Sequence, residues 1–268
     1  MIHILAKRHV HTLADFASSN VLLAFDYDGT LAPIVSDPSV ACLPRGTRRL
    51  LATAATRYPC VVISGRARHD LVKRVGNIPV FHLSGNHGLE PWAQNAVYER
   101  RVTGWVRRLR DRLQPYPGVI VEDKTYSVTI HYRHARRRRV TLAAIDEAVR
   151  GLRGARSLGG KDAISLVPSG APTKGAALER ARRLLACDTA IYVGDDQTDE
   201  DAFCAARADR LLAIRIGARR QSRARYYLRN QREIDDLLRA LLVFRPLHPR
   251  LSPRRLPSIQ AAAALPDA

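Results

Sequence analysis

Residues 21–33, VLLAFDYDGTLAP, constrain this chain more than any other stretch. An apolar run from Val21 to Phe25 ends in two carboxylates one residue apart, Asp26 and Asp28, followed by Gly29 and Thr30. An unbroken apolar run of this length reads as a buried strand. A buried strand that delivers acids to its C-terminal tip needs compensation, because a buried carboxylate is costly unless it is paired or bound to metal. Asp28-Gly29 also suits an ordinary turn, since Asp-Gly is a common turn dipeptide. The rest of the chain decides between the readings, by supplying partners for the acids or failing to.

Apolar runs at 60–63, 80–83, 189–193 and 211–216 alternate with helical patterns that begin at Pro44, cover 67–75, run from Lys174 to about 185, and span 234–243. Alternating strands and helices predict a parallel sheet with crossover helices. Thr173 and Thr198 stand where helix caps belong, and a short helix is expected near 11–17. Ser64 too is placed to cap the helix at 67–75. Between these halves the pattern changes to a helix at 102–113, a hairpin of 119–122 and 126–132, a helix at 137–150, and a strand pair of 156–158 and 163–167 around Gly159-Gly160. The predicted class is therefore α/β: a Rossmann-like parallel sheet core with helices on both faces, plus an inserted α+β cap domain. The expected divisions are a core at 1–95, a cap at 96–169, a second core part at 170–244, and a flexible tail at 245–268 that is rich in proline and then alanine.

The 268 residues suffice for one large domain or two modest ones. The net charge is +19, almost all of the excess being arginine spread along the chain. Charge of this kind gives non-specific attraction to polyanions. The one dense run, Arg136 to Arg139, has no interleaved aromatics, so no dedicated nucleic-acid site is expected. No apolar run reaches the ~18 residues of a membrane span, and the first ten residues are too polar for a signal peptide. The four cysteines form no CxxC pair and read as small buried hydrophobes, which suits a reducing, cytoplasmic setting. A monomer is expected.

Three strand ends carry chemistry: Asp26 and Asp28 after the first, Ser64 after the second, and Asp195 and Asp196, with Asp199 close behind, after the run at 189–193. Lys174 stands at a helix start just ahead of that last run. In open parallel sheets, ligands bind outside the C-terminal strand ends, so one site collects all these groups. Several carboxylates at one point repel and call for a cation; an all-oxygen set suits Mg²⁺. An acid kept ionised beside it can serve as nucleophile, while a lysine and a hydroxyl hold a phosphoryl group. Phosphoryl transfer is the chemistry that fits.

Asp26-Tyr27-Asp28-Gly29-Thr30, with the later Ser64, Lys174 and acidic pair, resembles the signature of the haloacid-dehalogenase-like phosphatases. The resemblance implies that Asp26 attacks phosphorus, Asp28 serves as acid and base, Ser64 and Lys174 hold the phosphoryl group, and Asp26, Asp28 (through its carbonyl) and Asp195 or Asp196 bind Mg²⁺. Further motifs, ISGR at 63–66, GNHGLE at 85–90, HYR at 131–133, PTKG at 172–175 and VGDDQTDEDAF at 193–203, are similar to those of the trehalose-6-phosphate phosphatases in the same order. That likeness implies trehalose 6-phosphate as the small-molecule substrate. It also implies a mobile cap, with Thr30, Gly65, Arg66, Asn86, His87, Glu90, Glu122, Lys124, His131 and Lys161 at the substrate. Trp92 and Trp105 read as packing residues.

One departure stands out: Ser165 and Val167 occupy positions where that family carries a glutamate and a basic residue. A carboxylate for sugar hydroxyls is thereby missing, which keeps sucrose 6-phosphate or glucosylglycerol phosphate open as alternative substrates. A reading of another class is a basic nucleic-acid-binding protein without catalysis, against which the intact acid set argues.

Overall fold

The computed structural model of the chain describes residues 1–35, 37, 40–93, 96–160 and 162–245. Lys161 and the proline-rich segment from 246 onward lie outside the described residues. The first half runs β1 (Ile2–His3), α1 (Val10–Ser18), β2 (Val21–Phe25), α2 (Arg45–Ala55), β3 (Cys60–Ile63), α3 (Arg68–Val75) and β4 (His82–Ser84). After an insert the chain returns through α6 (Lys174–Leu184), β9 (Thr189–Gly194), α7 (Glu200–Phe203), β10 (Leu211–Ile216), β11 (Tyr226–Leu228) and α8 (Glu233–Phe244). These strands form one seven-stranded sheet in the order β1-β11-β10-β9-β2-β3-β4, parallel throughout.

Every residue of β2 is fully buried, because β2 is central and covered on both faces. Val21, Leu23 and Phe25 join the core under α1, α2 and α8, while Leu22 and Ala24 join the core under α6 and α7. The two-residue period of a strand divides the run between the two faces. The chain leaves β2 toward β3 and β4 on one side and later adds β9 on the other. The order therefore reverses between β2 and β9, the switch point at which open α/β sheets bind ligands.

The insert contains α4 (Ala96–Leu113), β5 (Ile120–Asp123), β6 (Val128–His131), α5 (Arg138–Arg150), β7 (Ala155–Gly160) and β8 (Ala163–Pro168). Its strands make a separate antiparallel sheet, β5-β6-β8-β7. Val102, Trp105, Leu109, Val128, Ile130, Ile145 and Leu166 bury one another in a core of its own. Trp92 stacks on His82 with ring centroids 4.1 Å apart. Both tryptophans are packing residues.

Several expectations shift. β1 and β11, two and three residues long, carry no period that a sequence reading could detect; they extend the sheet as β11 pairs in parallel with β10 and β1 in parallel with β11. The strand expected at 80–83 is His82–Ser84. Gly159 and Gly160 lie within β7, paired with Ile164 and Ala163, and the turn follows them, with Asp162 at φ 58°. Thr198 does not cap α7; Asp199 occupies that position, and the Thr198 amide donates to Asp196 Oδ1. Nor does Ser64 cap α3, whose cap position is Ala67. Thr173 does cap α6, its hydroxyl accepting from the Ala176 amide at 3.3 Å. Only Cys60 and Cys187 are buried; Cys42 and Cys204 are exposed. Among the described residues no helix is long and apolar enough to cross a membrane.

Candidate active site

The turn after β2 places the first acids. The Asp26 amide donates to Val193 O at 2.9 Å, and the Gly29 amide donates to Ala32 O at 2.7 Å to close the turn. Gly29 has φ 81°, and a Cβ on it would stand 2.1 Å from an Asp195 carboxylate oxygen. No other residue satisfies both demands, since only glycine enters that backbone region freely. The absent side chain at 29 lets the β9 acid lie against the β2 turn.

Lys174, at the first position of α6, points into the same place. Its Nζ donates to Asp26 Oδ1 and to Asp199 Oδ1, each at 2.8 Å. The three residues are 3%, 4% and 0% exposed, so this is a fully desolvated charge cluster. Asp199 is saturated: besides Lys174 it accepts from Tyr192 OH at 2.7 Å and from the Asp195 and Asp196 amides at 2.9 and 3.0 Å. Burial pushes the Asp26 carboxyl well above its usual range; Lys174 opposes that, and Asp199 and Asp195 add to it. Burial, then Asp199 and Asp196, push Asp195 up to about 7. Burial alone would lower the Lys174 ammonium, but Asp199, Asp26 and Asp196 outweigh it and hold it above its ordinary value.

Asp26, Asp195 and Asp199 each offer an oxygen within 4.8 Å of one another. Asp195 Oδ1 is buried without a hydrogen-bond partner. An orphaned carboxylate oxygen in an all-oxygen cluster fits a hard divalent cation. Since Asp199 is already engaged by four donors, Asp26 and Asp195 are the carboxylates with capacity for it. The carboxylates of Asp28 and Asp196 stand outside this cluster. Asp28 is gripped by Arg66, with Nε 2.6 Å from Oδ2 and Nη2 2.7 Å from Oδ1. Arg66 also holds Asp70 at 2.8 Å, which Arg74 holds in turn. Asp196 lies on the wall of the cleft, its backbone carbonyl held by Arg215 at 3.0 Å. Arg215 also holds the Asp195 carbonyl.

A cleft of about 1400 Å³ opens over these groups. Asp26, Asp28, Ser64, Gly65, Arg66, His87, Lys174, Asp195 and Asp196 line it from the parallel sheet, and Glu122, Lys124, His131 and Ser165 from the insert. His131 Nε2 lies 2.7 Å from Glu122 Oε2, and Lys124 Nζ 3.5 Å from the same oxygen. Burial alone would raise the Glu122 carboxyl, yet His131 and Lys124 hold it below its usual value. Lys124 Nζ also donates to Gly65 O at 3.2 Å, bringing the insert against the parallel-sheet side of the cleft.

Three expected substrate contacts are differently employed. Thr30 is fully buried away from the cleft, and its carbonyl accepts from Gln231 at 3.2 Å. Asn86 and Glu90 bond to each other at 2.6 Å. Asn86 Nδ2 also donates to Lys124 O at 3.1 Å, Ser127 donates to Asn86 Oδ1, and Glu90 accepts the Arg68 amide at 2.7 Å. Both are consumed in joining the 85–90 loop to the β5–β6 turn, so neither reaches the cleft. Asp199 and Arg215 organise the β9 end, and Arg215 is not among the residues the sequence motifs point to. An arginine inside the apolar strand LLAIRI was the available signal for Arg215.

Residues 24–231 match the family model described as trehalose-phosphatase. The trehalose-phosphate phosphatase of Mycolicibacterium paratuberculosis is 37% identical over 207 residues, covering 72% of this chain and 53% of that protein. The chain thus spans about half the length of the curated relatives it matches. Among solved structures, the C-terminal domain of Candida albicans trehalose-6-phosphate phosphatase aligns over 87% of this chain and 96% of its own, with TM-score 0.70 and 23% identity. A structure of Aspergillus fumigatus trehalose-6-phosphate phosphatase aligns over 90% and 98%, with TM-score 0.59 and 25% identity. A family match running from within β2 through the β9 acids and beyond covers both halves of the site: the chain belongs to the trehalose-phosphatase family.

Proposed function

We propose that the chain is a Mg²⁺-dependent phosphatase that converts trehalose 6-phosphate to trehalose and phosphate. The observation that carries this reading is the buried Lys174 bridging Asp26 and Asp199 at the β2/β9 switch point, inside a chain of this family. Asp26 attacks phosphorus as the bond to the sugar oxygen breaks, leaving an aspartyl-phosphate. Ser64 and Lys174 hold the phosphoryl oxygens. Asp28 gives its proton to the departing sugar oxygen, then takes one from the water that attacks the aspartyl-phosphate, which releases phosphate and restores Asp26. Asp26, Asp195 and the Asp28 carbonyl would hold Mg²⁺, with Asp196 beside them; when bound, the ion supplies positive charge to the phosphoryl oxygens and favours the ionised Asp26. To donate a proton, Asp28 must first part from Arg66.

The insert acts as a cap over this site, and Glu122, Lys124 and His131 read sugar hydroxyls from it; Lys161 is assigned the same role on resemblance alone. The reading carries with it a monomeric, cytoplasmic enzyme with no dedicated nucleic-acid or membrane site. A second substrate reading, another sugar or polyol phosphate, is favoured by Ser165. Its Oγ lies 2.9 Å from Thr129 Oγ1, so two hydroxyls stand where a carboxylate was expected.

Phosphate release from trehalose 6-phosphate, sucrose 6-phosphate and glucosylglycerol phosphate, with Mg²⁺ and with EDTA, tests both. Trehalose 6-phosphate should give the highest kcat/KM, and EDTA should reduce turnover to background. Equal rates in EDTA would remove the metal from the scheme, and a higher kcat/KM for another sugar would reassign the substrate.

Asp28→Asn should separate the two half-reactions. General acid–base catalysis contributes about 10²–10⁴-fold, so sugar-phosphate turnover should fall by that much. With p-nitrophenyl phosphate, whose leaving group needs no proton, stopped-flow should show a burst of nitrophenolate equal to the enzyme, then slow turnover. Loss of the burst would remove Asp28 from the acid role.

A further inference from the structure

His87 stands apart in the cleft. Its ring lines the cavity, the residue is only 8% exposed, and neither ring nitrogen has a hydrogen-bond partner. A ring serving packing alone needs no polar atoms there, and buried polar groups are ordinarily satisfied. The backbone is also arranged around it. His87 has φ 60°, an uncommon conformation for a non-glycine residue, and strain of that kind gathers at functional sites. Gly65 leaves room for the ring: a Cβ there would stand 2.5 Å from His87 Cε1. The His87 amide donates to Ser64 O at 2.9 Å, which ties its turn to the residue proposed to hold the phosphoryl group.

The surroundings select the ligand. Burial first, then Lys174, Lys124 and Arg156, hold the imidazole well below its ordinary pKa, so the ring is neutral. A neutral imidazole keeps one N–H donor and one acceptor nitrogen. Its neighbours are the groups at the phosphoryl end, Ser64, Gly65 and Lys174, together with the Lys124 ammonium that bonds Gly65 O. A position flanked by cations suits an anion, and an uncharged donor adds a hydrogen bond without a further buried charge.

We propose that His87 is a phosphoryl-binding residue, its ring N–H donating to an oxygen of the substrate's phosphoryl group rather than to the sugar. This rests on the phosphatase reading above but not on which sugar is bound. It also changes the meaning of the GNHG stretch, where Asn86 builds the loop and His87 meets the ligand.

The test compares wild type, His87→Gly and His87→Asn. Glycine accepts the positive φ and removes the ring; asparagine tolerates the same backbone region and carries the readout should the glycine variant not fold. Orthophosphate and free trehalose are each used as inhibitors of p-nitrophenyl phosphate hydrolysis, with melting temperature followed alongside. A hydrogen bond to a charged group predicts that the orthophosphate inhibition constant rises about tenfold or more in both variants, while that of trehalose stays within twofold. Imidazole added to His87→Gly should restore part of the orthophosphate affinity. An unchanged orthophosphate constant overturns the proposal, whether the trehalose constant moves, making His87 a sugar reader, or only the melting temperature falls, making it a packing residue. Wild type that turns over no phosphomonoester at all overturns instead the phosphatase reading beneath it.

Discussion

Asp26→Asn should lower turnover of the sugar phosphate at least about 10⁴-fold, the scale on which loss of a covalent nucleophile is felt. It should do so without loss of stability. Asp26 is a buried acid whose charged form burial disfavours. An asparagine oxygen can still accept from Lys174 Nζ, as Asp26 Oδ1 does at 2.8 Å. The new amide can in turn donate toward the neighbouring Asp195. A thermal melt should therefore show a midpoint equal to wild type or higher, and product release should show no turnover above background. Turnover within tenfold of wild type would remove Asp26 from the nucleophile role, and a collapsed melt would mean that its charge holds the fold together.

Lys174→Met should behave in the opposite way for stability. Lys174 is the side-chain cation that pairs with both Asp26 and Asp199, each at 2.8 Å, and all three are buried. Removing one partner of a buried ion pair costs about 3–5 kcal/mol, because a charge is left uncompensated. For a chain of this size, each kcal/mol shifts the melting temperature by about 2–4 °C, so a drop on the order of 10 °C is expected alongside lost activity. Asp26→Asn placed on top of Lys174→Met should recover part of the drop, since it removes one of the stranded charges. The double-mutant cycle isolates that coupling. Strictly additive melts would sink the account of Lys174 as the counter-charge of this cluster.

What could be read in the sequence follows from how local each signal is. The stretch 21–33 announced both a doubly covered strand and its acids, because burial on two faces writes an unbroken apolar run. The strands at Cys60–Ile63 and Leu211–Ile216 were legible to the residue for the same reason. β1 and β11 were not, since two or three residues have no measurable period and owe their place to pairing with distant strands. The site divided likewise. Asp26, Ser64, Lys174 and Asp195 follow strand ends or open a helix, so topology alone gathers them. Asn86 and Glu90 resembled ligand contacts by motif, yet which of the polar residues in GNHGLE faces the cleft depends on a turn with positive φ at Asn86 and His87. The saturation of Asp199 required Tyr192 and two backbone amides to converge, which no spacing reveals.

The close approach at Gly29 has an evolutionary consequence. Position 29 carries no reactive atom, yet the Asp195 carboxylate occupies the space where any side chain would begin. Ser165 lines the cleft from the insert, where its hydroxyl meets Thr129, so exchange there alters what the cleft admits; Val167 is buried among Leu89 and Ala171 and has no such freedom. Position 29 has none either, since every single step from glycine displaces Asp195 from the acid cluster. The geometry of the acid cluster therefore passes through a residue that takes no part in it.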